Sequence, residues 1–506
     1  MNSSGRKTFS LPVLDTVTIN PDPEGIADAV SRIGYEVEEA LADIIDNSVD
    51  ARAKNVLVRF FHDDRSIRRV VIGDDGRGLD EKSIIEAMKF GVTKGHRLNE
   101  LGRYGIGLKT ASLNMAEQFS VISRKGKAVC GLRWSKKSIS KDWLCERLRP
   151  EKCREVIDND WGKLNLSRQG TLVFWDNLTE VGYTAGNVDK AITKLRKLAS
   201  KHLGIVFHRF ISKGKLKVWI DAEHSKDGTT GLAFEVEAFD PFKYPRSGTS
   251  GYPRVFQVQL KKDSFIRLEA HIWPPKSRHP NYVLGGGKVA ARQGFYFYRN
   301  DRLIQAGGWN GWRENGEPHL SLARICVELS EEHDAVFRLP IQKSKVYPPK
   351  GFTSALDSVR DTKREKLFTD YITDAQLTYR ARSRKNEKPV FIPDTGVSIP
   401  VREEIRKIVE DGEIGRPKKV RFAWSDLGEE QLFELDHRKR IIHLNLLYRQ
   451  NILSGARATP VDAPVIKTLL CLLTASIFAK ESFTGKDFEK LGLLNRILLP
   501  AVKAQG

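Results

Sequence analysis

Residues 36 to 53, EVEEALADIIDNSVDARA, constrain the chain more than any other stretch. Placed on a helix at ~100° per residue, Val37, Leu41, Ile44, Ile45 and Ser48 share one side, and Glu36, Glu39, Asp43, Asp46, Asn47 and Asp50 share the other. The spacing predicts an amphipathic helix whose polar face is almost purely acidic. Surface helices normally mix signs, because opposite charges four residues apart stabilise and like charges destabilise. No Lys or Arg interrupts this face. It is either a solvated face that tolerates repulsion, or a face that receives a cation through the Asn47 amide oxygen and nearby carboxylates.

The flanking segments predict an α+β domain. A short strand is expected at 15–19 and a helix at 21–34, before the acidic helix. After it, two β-branched runs at 55–61 and 66–73 are split by His62-Asp63-Asp64-Arg65, a hairpin signal. The second run ends on Asp74-Asp75-Gly76-Arg77-Gly78, and a helix is expected from Glu81 to Phe90. A loop of about twenty residues follows, with glycines at 91, 95, 102, 105 and 107, and enters a helix near Leu108. Irregular segments of that length inside a compact domain are usually functional, often lids. Strands are expected at 118–123, 128–134 and 170–175.

A second unit begins after Asn187 with a basic helix, followed by strands at 216–221, 255–260, 266–273, 294–299, 302–304 and 323–328. Residues 353–385 read as one long charged helix, and the proline-containing stretch 387–401 as a linker. The remainder pairs a hairpin at 432–449 with apolar helices after Pro464. The expected organisation is four parts, 1–185, 186–352, 353–395 and 396–506.

The chain has 506 residues, with 84 Lys and Arg against 64 Asp and Glu, a net charge of +20. Such a surface suits a polyanion such as nucleic acid, or is simply basic. Cys130, Cys145, Cys153, Cys326 and Cys471 are odd in number and contain no Cys-x-x-Cys pair, which signals neither a disulfide framework nor a zinc site. A soluble, cytoplasmic protein with no membrane partner is expected, because the N-terminus has no apolar signal core and the longest apolar stretch, 465–479, reads as a buried helix carrying Lys467.

Two motifs bear on chemistry. Glycines let successive backbone N–H groups turn inward, and a following helix start adds donors and a positive dipole end, so the loop ending at Gly107 can cradle a triphosphate. It is not a Walker A loop, because Leu108 separates Gly107 from Lys109 and Thr110, and no strand immediately precedes it as a Rossmann turn would need. Asp74 falls at a strand end beside Gly76 and Gly78. It can take an exocyclic amino group with a flat ring alongside, or it is an acidic turn capping the next helix.

Taken in order, DIIDNSVDARA at 43–53, DDGRG at 74–78, GRYGIGLKTAS at 102–112 and Gly-Thr at 170–171 resemble the GHKL ATPases, named for gyrase, the ninety-kilodalton heat-shock chaperones, histidine kinases and MutL. The resemblance covers residues 20–180 and is strongest to the MutL and MORC branch and its bacterial relatives. It implies a Bergerat α/β sandwich with ATP held between helices and a mixed antiparallel sheet. It further implies that Asn47 ligates Mg²⁺, Asp74 takes the adenine amino group with Gly76 and Gly78 flanking the base, and Thr171 supports that site through water. Lys94, Gly102, Gly105, Gly107 and Lys109 would meet the phosphates. Mg²⁺ held by one protein oxygen together with phosphates and waters suits that ion.

The chain departs from the family where a Glu general base is expected, four residues before the Asn, and carries Asp43, which is shorter by one methylene. Glu39, one turn earlier, is the fallback. Residues 293–304, QGFYFYRNDRLI, resemble the transducer domain of the same branches, whose basic residue reaches the γ-phosphate; Lys343 is the best-placed candidate and Lys345 the next. No resemblance covers 390–506. The expected function is a slow, ATP- and Mg²⁺-dependent conformational ATPase, homodimeric on nucleotide binding, acting on or near DNA in repair, chromosome maintenance or phage defence. The alternatives are a chaperone ATPase that does not bind DNA and, behind it, a histidine kinase.

Overall fold

A computed structural model describes residues 13–18, 22–32, 34–91, 101, 105–141, 143–179, 187–261, 264–275, 277–286, 288–314, 316–334, 336–337, 345–385, 389–411, 416–480 and 483–505. The chain divides into two compact units, Met1–Gln376 and Leu377–Gly506.

The first unit opens with helix α1 (Pro23–Ser31), whose first turn is capped by the Asp22 carboxylate on the Gly25 amide, and α2 (Val37–Asp50), the acidic helix. No strand occurs in the described residues 13–18, where one was expected. Helix α2 ends where Arg52 takes a left-handed conformation (φ 59°) and turns the chain into strand β1 (Asn55–His62), which pairs with β2 (Ile67–Asp74) as the predicted hairpin. Helices α3 (Glu81–Met88) and α4 (Gly107–Met115) follow, then β3 (Ala116–Lys125), β4 (Ala128–Ser135), the short α5 (Lys136–Ser140), β5 (Glu146–Arg147), α6 (Pro150–Ile157) and β6 (Gln169–Leu178).

The sheet does not end there. Helix α7 (Val188–Val206) leads to β7 (Lys217–His224) and β8 (Phe234–Glu235), which complete a mixed eight-stranded sheet in the order β5-β4-β3-β6-β2-β1-β7-β8. The strand assigned from sequence to a second unit beyond 185 therefore pairs, in parallel, with β1 of the first. Its place is fixed by Arg59 on β1, buried between the strands, whose guanidinium makes two bonds to Asp221 (2.9 and 2.8 Å) and one to Glu223 (2.7 Å). A buried guanidinium needs such forked acceptors, and no local pattern announces a partner 162 residues away.

Alternation along the strands splits the core in two. Val56, Val58 and Phe60 face α2, α4 and α7, while Leu57, Val71 and Leu172 face Cys153, Ile157 and Trp161 of the 150–166 segment. Both faces are covered, giving the α/β sandwich expected from sequence.

A second sheet within the same unit runs β12-β11-β13-β10-β9, built from β9 (Arg254–Lys261), β10 (Ser264–Ile272), β11 (Gly294–Arg299), β12 (Arg302–Ala306) and β13 (Ala323–Leu329). Helix α7 serves both sheets: Ile192, Ala199, Leu203 and Val206 pack in the first core and Ile205 in the second, against Tyr296, Tyr298 and Leu303. The charged helix expected over 353–385 is two helices, Lys350–Leu356 and Phe368–Lys385. Between them the Asp361 carboxylate accepts from the Glu365 amide and pairs with Arg254, and Asp361 bridges to Phe256 on β9. Tertiary pairing overrides the helical pattern there.

The second unit has its own sheet, β14 (Pro389–Pro393), β15 (Arg416–Ser425), β17 (Ile441–Asn445) and β16 (Phe433–Asp436) in that order, and its own core. The stretch read as a linker contributes β14, because two prolines are tolerated on an edge strand. Lys467 in helix Pro464–Phe478 is buried and paired with Asp462 at 2.9 Å; Leu469, Leu472 and Leu473 of that helix are exposed, so it is half-buried rather than buried. Among the described residues no helix is long and apolar enough to cross a membrane.

Candidate nucleotide site

Helix α2 places its acidic residues against protein rather than solvent. Asp43 and Asp46 are buried, Glu39 and Asp50 are half-buried, and only Glu36 and Asn47 on that face are exposed, so the polar face is not a solvated stripe. Repulsion along it is relieved by partners from elsewhere. The Tyr35 hydroxyl donates to one Asp43 oxygen at 2.9 Å, and the other accepts from Arg302 Nη2 at 3.3 Å. Arg302 Nε donates to Asp46 at 2.6 Å. Burial, with the Asp43 charge beside it, pushes the Tyr35 phenol well above its ordinary range and keeps it a donor. Asn47 Nδ2 donates back to the Asp43 carbonyl at 3.2 Å, which orients the amide and leaves Oδ1 as its outward acceptor.

One turn further, Ser48 faces the sheet and its hydroxyl donates to Asp74 Oδ2 at 3.0 Å, while the Gly76 amide donates to Oδ1 at 2.9 Å. Asp74 is buried at the end of β2, and burial pushes its carboxyl up to about 6 against these two donors, with the neighbouring Asp75 charge adding to the rise. Asp75 is spent otherwise: its carboxylate accepts from the Lys54 and Asn55 amides and from Asn55 Nδ2. Of the paired acids, Asp74 is the one poised for chemistry and Asp75 holds the turn.

Gly76 and Gly78 are required by close approach of protein atoms. A Cβ at Gly76 would stand 2.7 Å from the Ala51 Cβ, and one at Gly78 (φ +63°) only 1.8 Å from the Arg124 carbonyl oxygen. Thr171 pairs with Asp74 across β2 and β6, and its hydroxyl lies 2.8 Å from Ser123 Oγ, which in turn accepts from the Leu79 amide. Ser48 thus bonds Asp74 directly, Thr171 stands opposite Asp74 on β6, and Asn47 and Asp43 lie on the same helix as Ser48.

The phosphate-side residues are placed less uniformly. Gly105 has φ +58°, and Gly107 opens α4 with no atom of the described residues within 4 Å of its would-be Cβ. Lys109 is buried on the other side of that helix: its Nζ donates to the Ala87 carbonyl at 2.8 Å and sits 5.8 Å from the Phe90 ring, and burial pushes it down to about 8. In this structure Lys109 packs α4 on α3. Lys94, Gly102 and Lys343 lie outside the described residues. Lys345 is exposed, over the Tyr347 ring at 5.2 Å. Glu39 shares a cavity wall with Asp43.

Ser48, Tyr35 and Arg302 were not found from sequence. Ser48 had a signal, a hydroxyl on the apolar side of a helix, whereas Arg302 lies 256 residues from Asp46. Of the basic clusters, Lys190, Lys194 and Lys197 on α7 are exposed, as is Arg380.

Residues 35–162 match the family described as histidine kinase-, DNA gyrase B-, and HSP90-like ATPase. Among curated proteins, Protein MICRORCHIDIA 5 of Arabidopsis thaliana is 25% identical over 143 residues, 25% of this chain and 19% of the relative. ATPase morc-1 of Caenorhabditis elegans is 27% identical over 93 residues, 18% of this chain and 11% of the relative. The chain thus matches about a fifth or less of either relative's length. Sequence order, sandwich fold and matched region agree that this chain carries a GHKL ATPase domain close to the MORC branch.

Proposed function

We propose that the chain is an ATP- and Mg²⁺-dependent conformational ATPase that acts on DNA. The observation that carries this is the Asp74 carboxylate, buried at the end of β2 and aligned by the Gly76 amide and by Ser48, which shares α2 with Asn47 and Asp43. A desolvated carboxylate so held is fitted to accept from the adenine amino group, and water through Thr171 completes the ring's edge. Asn47 Oδ1 is the protein ligand available to Mg²⁺, which would neutralise phosphate charge. Gly105, Gly107 and the N-terminus of α4 would suit the phosphates, with Lys94 and Gly102 completing the cradle; Lys109 would have to leave its Ala87 contact to join them.

In hydrolysis, a water oxygen bonds to the γ-phosphorus, the bond to ADP breaks, and the water proton passes to Asp43. The chain's part is positioning and charge stabilisation, and a short base makes the reaction slow. Lys343 would contribute a cation from the second sheet. Nucleotide then favours a closed homodimer and hydrolysis reopens it, in a cytoplasmic setting. Exposed lysines of α7 and the 380–385 cluster would contact DNA phosphates with little sequence preference.

Two experiments test the reading. Nucleotide titration of the full chain tests the ATP site, and unchanged affinity on Asp74→Asn removes it. Gel-shift affinity for duplex DNA, with and without ATP, should fall steeply with salt, and a flat response rejects the electrostatic contact.

A further inference from the structure

The second sheet meets the acidic helix through Arg302. It opens β12, is buried, and divides its guanidinium between Asp46 (Nε, 2.6 Å) and Asp43 (Nη2, 3.3 Å), while Nη1 is held by the Leu303 carbonyl at 3.3 Å. Each partner is anchored in a different body of structure. Asp43 and Asp46 ride on α2, whose Leu41, Ile44 and Ile45 lie in the first core. Arg302 is fixed to the second sheet through the β11–β12 pairing, where Leu303 packs with Tyr296 and Tyr298.

A guanidinium is a rigid planar fork, so its two contacts translate the separation of sheet and helix into the orientation of the carboxylates. Tyr35 holds the second Asp43 oxygen, so the carboxylate is oriented from both sides, by Tyr35 and by Arg302. A cavity of about 150 Å³ adjoins this contact, lined by Arg302, Asp43, Glu39, His202 and Arg292 among others. The charged contact between the second sheet and α2 therefore has a space large enough for water along one side of it.

We propose that Arg302 is a positioning residue for ATP hydrolysis, through which the second sheet sets the orientation of Asp43. The inference rests on the ATPase reading above and adds the route by which the two sheets are coupled. Arg302 touches no substrate on this account; it acts through Asp43.

The test uses the full-length chain with Arg302→Lys, which keeps a buried cation but cannot span both carboxylates as a fork does, and Arg302→Met, which removes the cation from both. ATP·Mg²⁺ affinity and turnover are measured separately. Arg302→Lys should lower kcat about tenfold or more while the dissociation constant stays within about threefold, and a folded Arg302→Met should lose more turnover. If Arg302→Met does not fold, Arg302→Lys decides alone. Unchanged turnover in Arg302→Lys, or equal losses of affinity and turnover, overturns the proposal. On an Asp43→Asn background Arg302→Lys should cost nothing further, and an added loss would show a role independent of Asp43. Failure of the unaltered chain to bind ATP overturns the underlying reading as well, and is told apart from the other outcomes by the binding measurement.

Discussion

The surroundings of Asp74, which packs against α2, and of Asp43, which lies on it, are built in different ways. Around Asp74 the partners come from the helix, the adjoining turn and the paired strand: Ser48, Gly76 and Thr171 all belong to the first sheet's own frame. Around Asp43 the frame is borrowed, since Arg302 reaches it from 259 residues away on another sheet. On the proposed reading, adenine recognition would be complete within the first sheet and α2, whereas Asp43 would be held for hydrolysis only while the second sheet keeps its place against α2. A switch would gain from that division, because nucleotide could dock before the hydrolytic group is in place.

The sharpest way to break this comparison is at Asp43. Loss of a general base typically costs ~10² to 10⁴-fold, so Asp43→Asn should abolish most turnover in a steady-state phosphate-release assay, and a native rate would pass the role to Glu39. Asp43→Glu restores the family's residue, but the site is buried between Tyr35 and Arg302, so an extra methylene must displace one of them. Faster hydrolysis would show that the native chain favours a long-lived ATP state; loss would show that the surroundings are fitted to Asp.

A smaller effect distinguishes the two acids by pH. Asp74, with its carboxyl at about 6, is ionised above that pH and protonated below it. Its ability to accept from an amino group as a carboxylate is thus present above pH 6 and lost as pH falls, and ATP affinity should weaken roughly tenfold per unit below about 6. Arg302→Lys should leave that fall-off where it is. An affinity flat from pH 7 to 5 would disconnect Asp74 from the nucleotide.

The smallest effect is at Ser48. Ser48→Ala removes one hydrogen bond to a buried carboxylate, worth ~1 kcal/mol, and should weaken ATP about fivefold while moving the fall-off to higher pH. No change in either, measured by fluorescence titration, would make Ser48 a packing residue.

How much of this was legible in the sequence follows the same division. The acidic helix, the hairpin, Asp74 at a strand end and the helix entered at Gly107 were readable because each is a short-range pattern. The burial of Asp43 and Asp46 was not, since periodicity separates two faces of a helix without saying what covers the polar one. Arg302, the parallel pairing of β7 through Arg59 and Asp221, and the break at Asp361 all depend on partners more than a hundred residues distant. Lys109 shows the opposite limit: its motif position suggested a phosphate ligand, and the fold turns its side chain onto the Ala87 carbonyl.

The central claim, that this site holds ATP at Asp74 and breaks it down at Asp43, is tested most directly by calorimetric titration of ATP·Mg²⁺ into two full-length variants. Asp43→Asn should bind as the unaltered chain does, and Asp74→Asn, which presents an amide N–H where an acceptor is needed, should show no binding. Equal affinity in Asp74→Asn and the unaltered chain would contradict the account.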